Sequence, residues 1–346
     1  MPKMRSLVLT APGKVEIEGM DRPAPGEKDV VIRTHYCGIC GTDLMDYRGQ
    51  NVWGRDAYPK RPGHEISGVV AEVGAGVTDL KPGDRVVPEC TIGCGECAWC
   101  KAGKYGLCRH RLKYSNGGMA DYVSVPAKAV YRVPDHVSLQ EAAVIEPVAV
   151  GAAAALKCGE AYGLNVGVIG GGTIGLGALM TLRLLGAART FLFELREDRI
   201  ETGLQVGATT GVNSGKEDPV GAVHAQTGGA GLDAIVVASA GTAKTMGLAL
   251  GLAAPQGRVV VVGLAGGQLA DIDPDELADK EAMIIGSHSS PGIWDKLIAS
   301  VDAGRYDLKA LVSHVVPLDD AARAFGLLTD PDARANKVLL QMADDA

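Results

Sequence analysis

The run Asn165-Val166-Gly167-Val168-Ile169 reads as a buried strand, and Gly170-Gly171-Gly172-Thr173-Ile174-Gly175 follows it directly. A Gly-x-Gly-x-x-Gly arrangement at a strand-to-helix turn constrains the chain more than any other feature. Gly170 and Gly172 permit a tight turn and a close backbone approach, while Thr173, Ile174 and Gly175 open a helix whose first N–H groups have no partners inside it. Such a helix end suits a pyrophosphate. Glycine-rich turns also arise for packing alone, so the neighbouring residues matter. The next strand-like run ends at Glu194, whose carboxylate suits two ribose hydroxyls and repels a 2′-phosphate, which favours NAD over NADP. Arg196 and Arg199 follow at once and leave NADP open as the alternative, since arginine forks match phosphate.

Beyond Gly163 the pattern alternates: a helix to Leu185, a strand at Thr190–Glu194, a helix from Asp198, strands at Asp233–Ser239 and Gly257–Gly263 with a helix between them. That alternation predicts βαβ units around a parallel sheet, an α/β doubly wound fold. Before it, Leu7 to Val133 shows short β-branched runs broken by turns such as Lys81-Pro82-Gly83-Asp84, the pattern of a barrel-like β domain. After His288 two helices and a last strand at Lys337–Gln341 are expected to return to that first domain. At 346 residues the chain exceeds what one core organises, so two domains are expected. The expected division is 1–152 with 289–346 for the first domain, and 153–288 for the dinucleotide-binding one.

Cys94, Cys97, Cys100 and Cys108 form C-x2-C-x2-C-x7-C. Four thiolates at this spacing can surround one zinc ion tetrahedrally, which leaves no open position and predicts a structural role for a lobe near 90–110. Disulfides fit poorly, because no export signal or membrane span is evident; a cytoplasmic protein is expected. Cys37, Cys90 and Cys158 read as ordinary buried thiols. A net charge of −7 without any basic run argues against nucleic acid or an anionic membrane as partner.

Two further segments carry ligand-type side chains: Cys37-Gly38-Ile39-Cys40-Gly41-Thr42-Asp43 and Gly63-His64-Glu65. In one order the chain shows CGICGTD, PGHE, the four-cysteine lobe, Glu146-Pro147 and GGGTIG. Over nearly its whole length it therefore resembles the zinc-containing medium-chain dehydrogenases, and within them the sorbitol and threonine dehydrogenase branch. The resemblance implies a GroES-like β-barrel catalytic domain plus a Rossmann domain, two zinc ions per chain and a homotetramer, with a dimer as runner-up. It makes Cys40, His64 and Glu65 ligands of a catalytic zinc, with Glu146 bound directly or through a water, and Cys37 no ligand.

In the same way Asp43 is expected to orient His64 through a hydrogen bond, or else to cap a turn. Thr42 corresponds to the hydroxyl that takes the substrate proton, or else to a helix cap. The reaction implied is removal of hydride from a secondary alcohol, whose oxygen a Lewis-acidic zinc makes easier to deprotonate, onto a nicotinamide. One position departs from the family: a histidine often found five residues after the zinc cysteine is Met45 here, and a thioether relays no protons, so Asp46 or water would have to serve. The stretch Gly286–Ser290 lacks the arginine that sorbitol dehydrogenases offer to their polyol, which points away from sorbitol toward another polyol, amino-polyol or cyclitol. His288 and Ser289 are candidate substrate contacts, and Trp53 and Tyr47 candidate cleft residues or plain packing. Lys337 matches a basic position near the cofactor phosphate. Competing readings are an NADP-dependent aldehyde or ketone reductase, a non-catalytic dinucleotide-sensing zinc protein, and a zinc-ribbon nucleic-acid binder, the last disfavoured by the βαβ half.

Overall fold

The structure is a computed structural model that describes residues 3–50, 57–112, 114, 117–239, 243–264, 270 and 272–344. The chain forms two compact units: Met1–Glu146 with Trp294–Gly304 and Val312–Ala346, and Pro147–Ile293 with Arg305–Leu311. Most of the tail belongs to the first unit. Arg305–Leu311 instead joins the second, where the Tyr306 hydroxyl lies 2.9 Å from Thr181 Oγ1 and Gln205 reaches Asp307. A residue-by-residue pattern carries no trace of that excursion, because both partners are more than 100 positions away.

In the first unit, β1 (Lys3–Ala11) and β2 (Lys14–Asp21) form a hairpin. A seven-stranded sheet is built from β3 (Asp29–Gly38), β4 (Glu65–Val73), β5 (Arg85–Pro88), β6 (Tyr122–Pro126) and β7 (Val130–Arg132), completed by the last two strands of the chain. Val30, Val31 and Ile32 of β3 are wholly buried because β3 is the central strand, pairing with β4 along its length and with β6 at its start. Their burial, at about 1.5–3 kcal/mol per large aliphatic side chain, is what holds that strand in place. Leu7, Ile66, Val86, Phe325 and Leu340 complete the core of this unit.

The second unit contains β8 (Asn165–Ile169), β9 (Arg189–Glu194), β10 (Thr210–Asn213), β11 (Leu232–Val237), β12 (Ala253–Val261) and β13 (Met283–Gly286). All pairs are parallel, and the order is β10-β9-β8-β11-β12-β13. Counted within the unit this is 3-2-1-4-5-6, the dinucleotide-binding order, whose ligand crevice opens at the carboxyl ends of the two innermost strands. Val166, Val168, Ile235, Val236 and Val237 are at most 1% exposed, as expected for strands covered on both faces. The edge strand β13 is different: Met283 and Ile284 are exposed. The chain closes in the first unit with β14 (Val312–Pro317) and β15 (Lys337–Gln341), the latter pairing antiparallel with the end of β3. No helix among the described residues is long and apolar enough to cross a membrane.

Candidate metal centre and dinucleotide site

The four-cysteine lobe follows β5. Cys97 caps the short helix Ala98–Lys101, and a 3-10 turn at Tyr105–Leu107 leads to Cys108. These turns gather the sulfurs of Cys94, Cys97, Cys100 and Cys108 within 4.8 Å of one another. All are free thiols. Backbone N–H groups of Cys94 and His110 point at Cys108 Sγ, at 3.5 and 3.3 Å. The N–H groups of Cys97 and Glu96 bring the Cys94 thiol down to about 6, whereas burial lifts Cys100 to about 11. Backbone dipoles thus already stabilise thiolate charge here, and a divalent cation would supply what the remaining thiols need to ionise.

The second group lies where β3 ends and β4 begins. Their antiparallel register sets Gly38 opposite Glu65, so the turn after β3 brings Cys40 beside His64 and Glu65. One ligand atom from each of these three lies within 4.8 Å of the others. An added Cβ on Gly38 would stand 2.0 Å from Glu65 Oε2, which explains a glycine there without any unusual backbone angle. Glu65 is 1% exposed, and both its oxygens accept from Lys337 Nζ, at 2.7 and 2.6 Å.

Burial lowers His64's affinity for a proton, but the charges of Cys40, Asp43 and Glu146 outweigh that and raise its pKa well above the usual range. An anionic cluster that draws a proton onto its histidine suits a divalent cation. The donor set of one thiolate, one imidazole and one carboxylate fits zinc with a position left open.

Glu146, 4% exposed near the start of the helix Ile145–Lys157, stands outside that three-residue group. Its Oε1 accepts instead from the Cys90 thiol at 2.9 Å. Burial raises the Glu146 carboxyl, with the charge of His64 opposing. Burial and the Glu146 charge also push the Cys90 thiol well above its ordinary value. Cys90, expected to be an ordinary buried thiol, is therefore a neighbour of the site. Its only sequence signal was that the lobe left it over. The preceding residue, Glu89, is 3% exposed and accepts from the Tyr105 hydroxyl at 2.9 Å. Burial drives its carboxyl up to about 8, with the Tyr105 hydrogen bond opposing and the Glu146 charge adding to the rise.

Other expected residues fall as follows. Asp43 is buried, but its oxygens accept from the backbone N–H groups of Cys40 (2.9 Å) and Gly63 (3.3 Å), and its distance to His64 Nδ1 is 4.0 Å. It caps the turn and faces the imidazole without bonding to it. Thr42 is half-buried in the first turn of the helix Gly41–Tyr47, where Cys40 is the cap. Asp46 is held by Lys60 at 2.6 Å and so is committed to an ion pair rather than to a relay. Lys337 does not face a phosphate: it is 5% exposed, and its three ammonium hydrogens are taken by Glu65 and the Ile39 carbonyl. Cys37 is fully buried and outside the ligand group, its pKa pushed well up by burial. Tyr47 packs on Phe325 with ring centroids 4.9 Å apart, which is core packing. Trp53 lies outside the described residues. His288 and Ser289 follow β13 in the second unit, half-buried, and Ser289 has a left-handed backbone (φ 57°).

In the second unit the three glycines have separate reasons. Gly170 turns the chain with φ 104°, and a Cβ on Gly175 would stand 1.9 Å from the Gly170 carbonyl oxygen. A Cβ on Gly172 would meet nothing within 4 Å, so open space lies over the amino end of the helix Thr173–Leu184, which has no side-chain cap. That is room for a phosphate beside unpaired N–H groups. Glu194 accepts from the backbone N–H groups of Gly171 and Leu195, both at 2.7 Å, with Arg199 Nη1 at 3.7 Å. Arg196 is engaged by both oxygens of Asp198, at 3.0 and 2.6 Å.

Family comparison fits this geometry. Residues 26–135 match the alcohol dehydrogenase GroES-like domain, and 173–303 match the zinc-binding dehydrogenase domain. The chain is 33% identical to D-arabitol-phosphate dehydrogenase of Enterococcus avium, over 93% of each protein. It is 32% identical to sorbitol dehydrogenase of Gallus gallus, over 92% of each. A zinc-binding dehydrogenase of Sinorhizobium meliloti 1021, solved bound to NADP, superposes with a TM-score of 0.91 at 29% identity, over 99% of this chain and 100% of that one.

Proposed function

The chain belongs to the zinc-type alcohol dehydrogenase family of oxidoreductases, and from that premise we propose that it transfers hydride from a secondary alcohol of a small polyol, amino-polyol or cyclitol to NAD, giving the ketone. The observation that carries this reading is the convergence of Cys40, His64 and Glu65 where the end of β3 faces the start of β4, with the charge of a second buried carboxylate, Glu146, felt by His64. Zinc bound there would supply Lewis acidity, making an alcohol hydroxyl acidic enough for hydride to leave its carbon. Cys40, His64 and Glu65 would hold that ion, and the four cysteines of the lobe a second, structural one.

The Thr42 hydroxyl takes the substrate proton in this reading. With Met45 unable to carry it further and Asp46 paired to Lys60, the proton leaves Thr42 by way of water or the cofactor ribose. The reading takes NAD as cofactor, supported by the acidic Glu194 at the end of β9, which would repel a 2′-phosphate, and by Arg196, which is neutralised by Asp198. A homo-oligomer, tetramer or dimer, is supported by the apolar side chains left exposed on the edge strand β13.

The test is a panel of polyols and amino-alcohols followed by NADH absorbance, run on the native protein and on Cys40→Ser and His64→Ala. Both variants should lose turnover while zinc falls from about two to about one per chain, since the lobe is untouched. Full activity in either variant would refute the ligand assignment.

A further inference from the structure

We propose that Cys90 is a positioning residue: its thiol holds one oxygen of Glu146 and thereby keeps that carboxylate from closing the open side of the metal centre. The inference rests on the reading above, in which Cys40, His64 and Glu65 are the protein ligands and Glu146 faces the ion without binding it.

The geometry begins in the backbone. Glu89, Cys90 and Thr91 follow directly on β5, and the chain bends at Cys90. Glu89 is fixed, its N–H donating to the Ala129 carbonyl (2.7 Å) and its carboxyl accepting from Tyr105 of the cysteine lobe. At the bend the Cys90 sulfur meets Glu146 Oε1 at 2.9 Å. A carboxylate only accepts, so the thiol is the donor.

The last torsion of a glutamate is broad and nearly two-fold, so a free Glu146 would sweep both oxygens through the space beside the cluster. A carboxylate swinging onto the ion would make a fourth protein ligand. A zinc centre with four protein ligands is of the closed, structural kind, whereas catalysis needs three and an open position. The Cys90 hydrogen bond stops that rotation.

The experiment uses the full chain with Co2+ exchanged into the catalytic centre and zinc retained in the lobe, comparing the native protein, Cys90→Ala, Cys90→Ser and Glu146→Gln. Losing a group that orients residues around a metal changes activity or affinity about 10- to 100-fold. Cys90→Ala should therefore lower kcat by about that factor with a much smaller change in KM, and should move the Co2+ ligand-field bands, reporting an altered coordination shell. Cys90→Ser, which keeps a donor, should restore both to near the native values. Native bands and native kcat in Cys90→Ala would overturn the proposal, as would a Cys90→Ser variant as impaired as Cys90→Ala, because packing alone would then explain the effect. If Glu146→Gln itself changed neither bands nor kcat, the placement of Glu146 at the centre would fall; if Glu146→Gln changed both while Cys90→Ala changed neither, only the role of Cys90 would.

Discussion

Replacing Glu89 by Gln should flatten the pH dependence of stability on the alkaline side. In the folded chain this carboxyl is raised from 4.5 to about 8, chiefly because its charge would be buried. In the unfolded chain it ionises near 4.5. Between those two values the folded state binds one proton more than the unfolded state, so stability falls as pH rises; its contribution is intact below about pH 4.5 and gone above about pH 8. At about 1.4 kcal/mol for each pH unit, the full loss is on the order of 5 kcal/mol. Glutamine keeps an acceptor for the Tyr105 hydroxyl but cannot ionise. Its amide can also set an N–H against the Trp294 side chain, which donates to the native carboxyl, at a cost of about 1–3 kcal/mol that does not vary with pH. The decisive quantity is therefore the slope and not the level. Urea or thermal unfolding of both proteins from pH 5.5 to 9, at one fixed free zinc concentration, would measure it. Parallel curves would refute the reasoning; a native curve that drops toward pH 8 while the variant stays level would support it.

Two further predictions concern the other sites. Glu194→Gln should raise the NADP-to-NAD ratio of kcat/KM by roughly 10-fold or more, since a charged hydrogen bond and a like-charge repulsion are removed together; an unchanged ratio would show that ribose discrimination lies elsewhere. Lys337→Met should destabilise the metal-free protein by about 3–5 kcal/mol because it strands the buried Glu65 charge, and zinc should restore more stability to this variant than to the native chain. Equal thermal shifts on zinc addition would contradict the pairing.

What the sequence made legible was what is local in it. The four lobe cysteines fall within 15 consecutive residues, and the glycine turn is contiguous with its strand and helix, so spacing alone defines them. The alternation of apolar runs likewise predicts the strand at Asn165–Ile169 with the bounds the structure gives. Cys40, His64 and Glu65 were legible through family resemblance, and the physical cause of their meeting is the β3–β4 register, which no spacing rule encodes. The pairs Cys90–Glu146 and Lys337–Glu65, 56 and 272 positions apart, were not legible at all. A lysine in a last strand looks solvated until the strand is seen to dock beside β3. Asp43 shows a subtler limit: both of its anticipated roles were reasonable, and only a distance separates the bonded backbone from the unbonded imidazole.

The close approach of Gly38 to Glu65 has an evolutionary consequence. Even a single methyl at position 38 would displace the carboxylate and leave the Lys337 ammonium without its counter-charge, so these three positions cannot drift independently. A homologue that gained a side chain at 38 would survive only by shortening the acid at 65 and discarding the base at 337 in the same lineage. Glycine, acid and base should be inherited together or lost together.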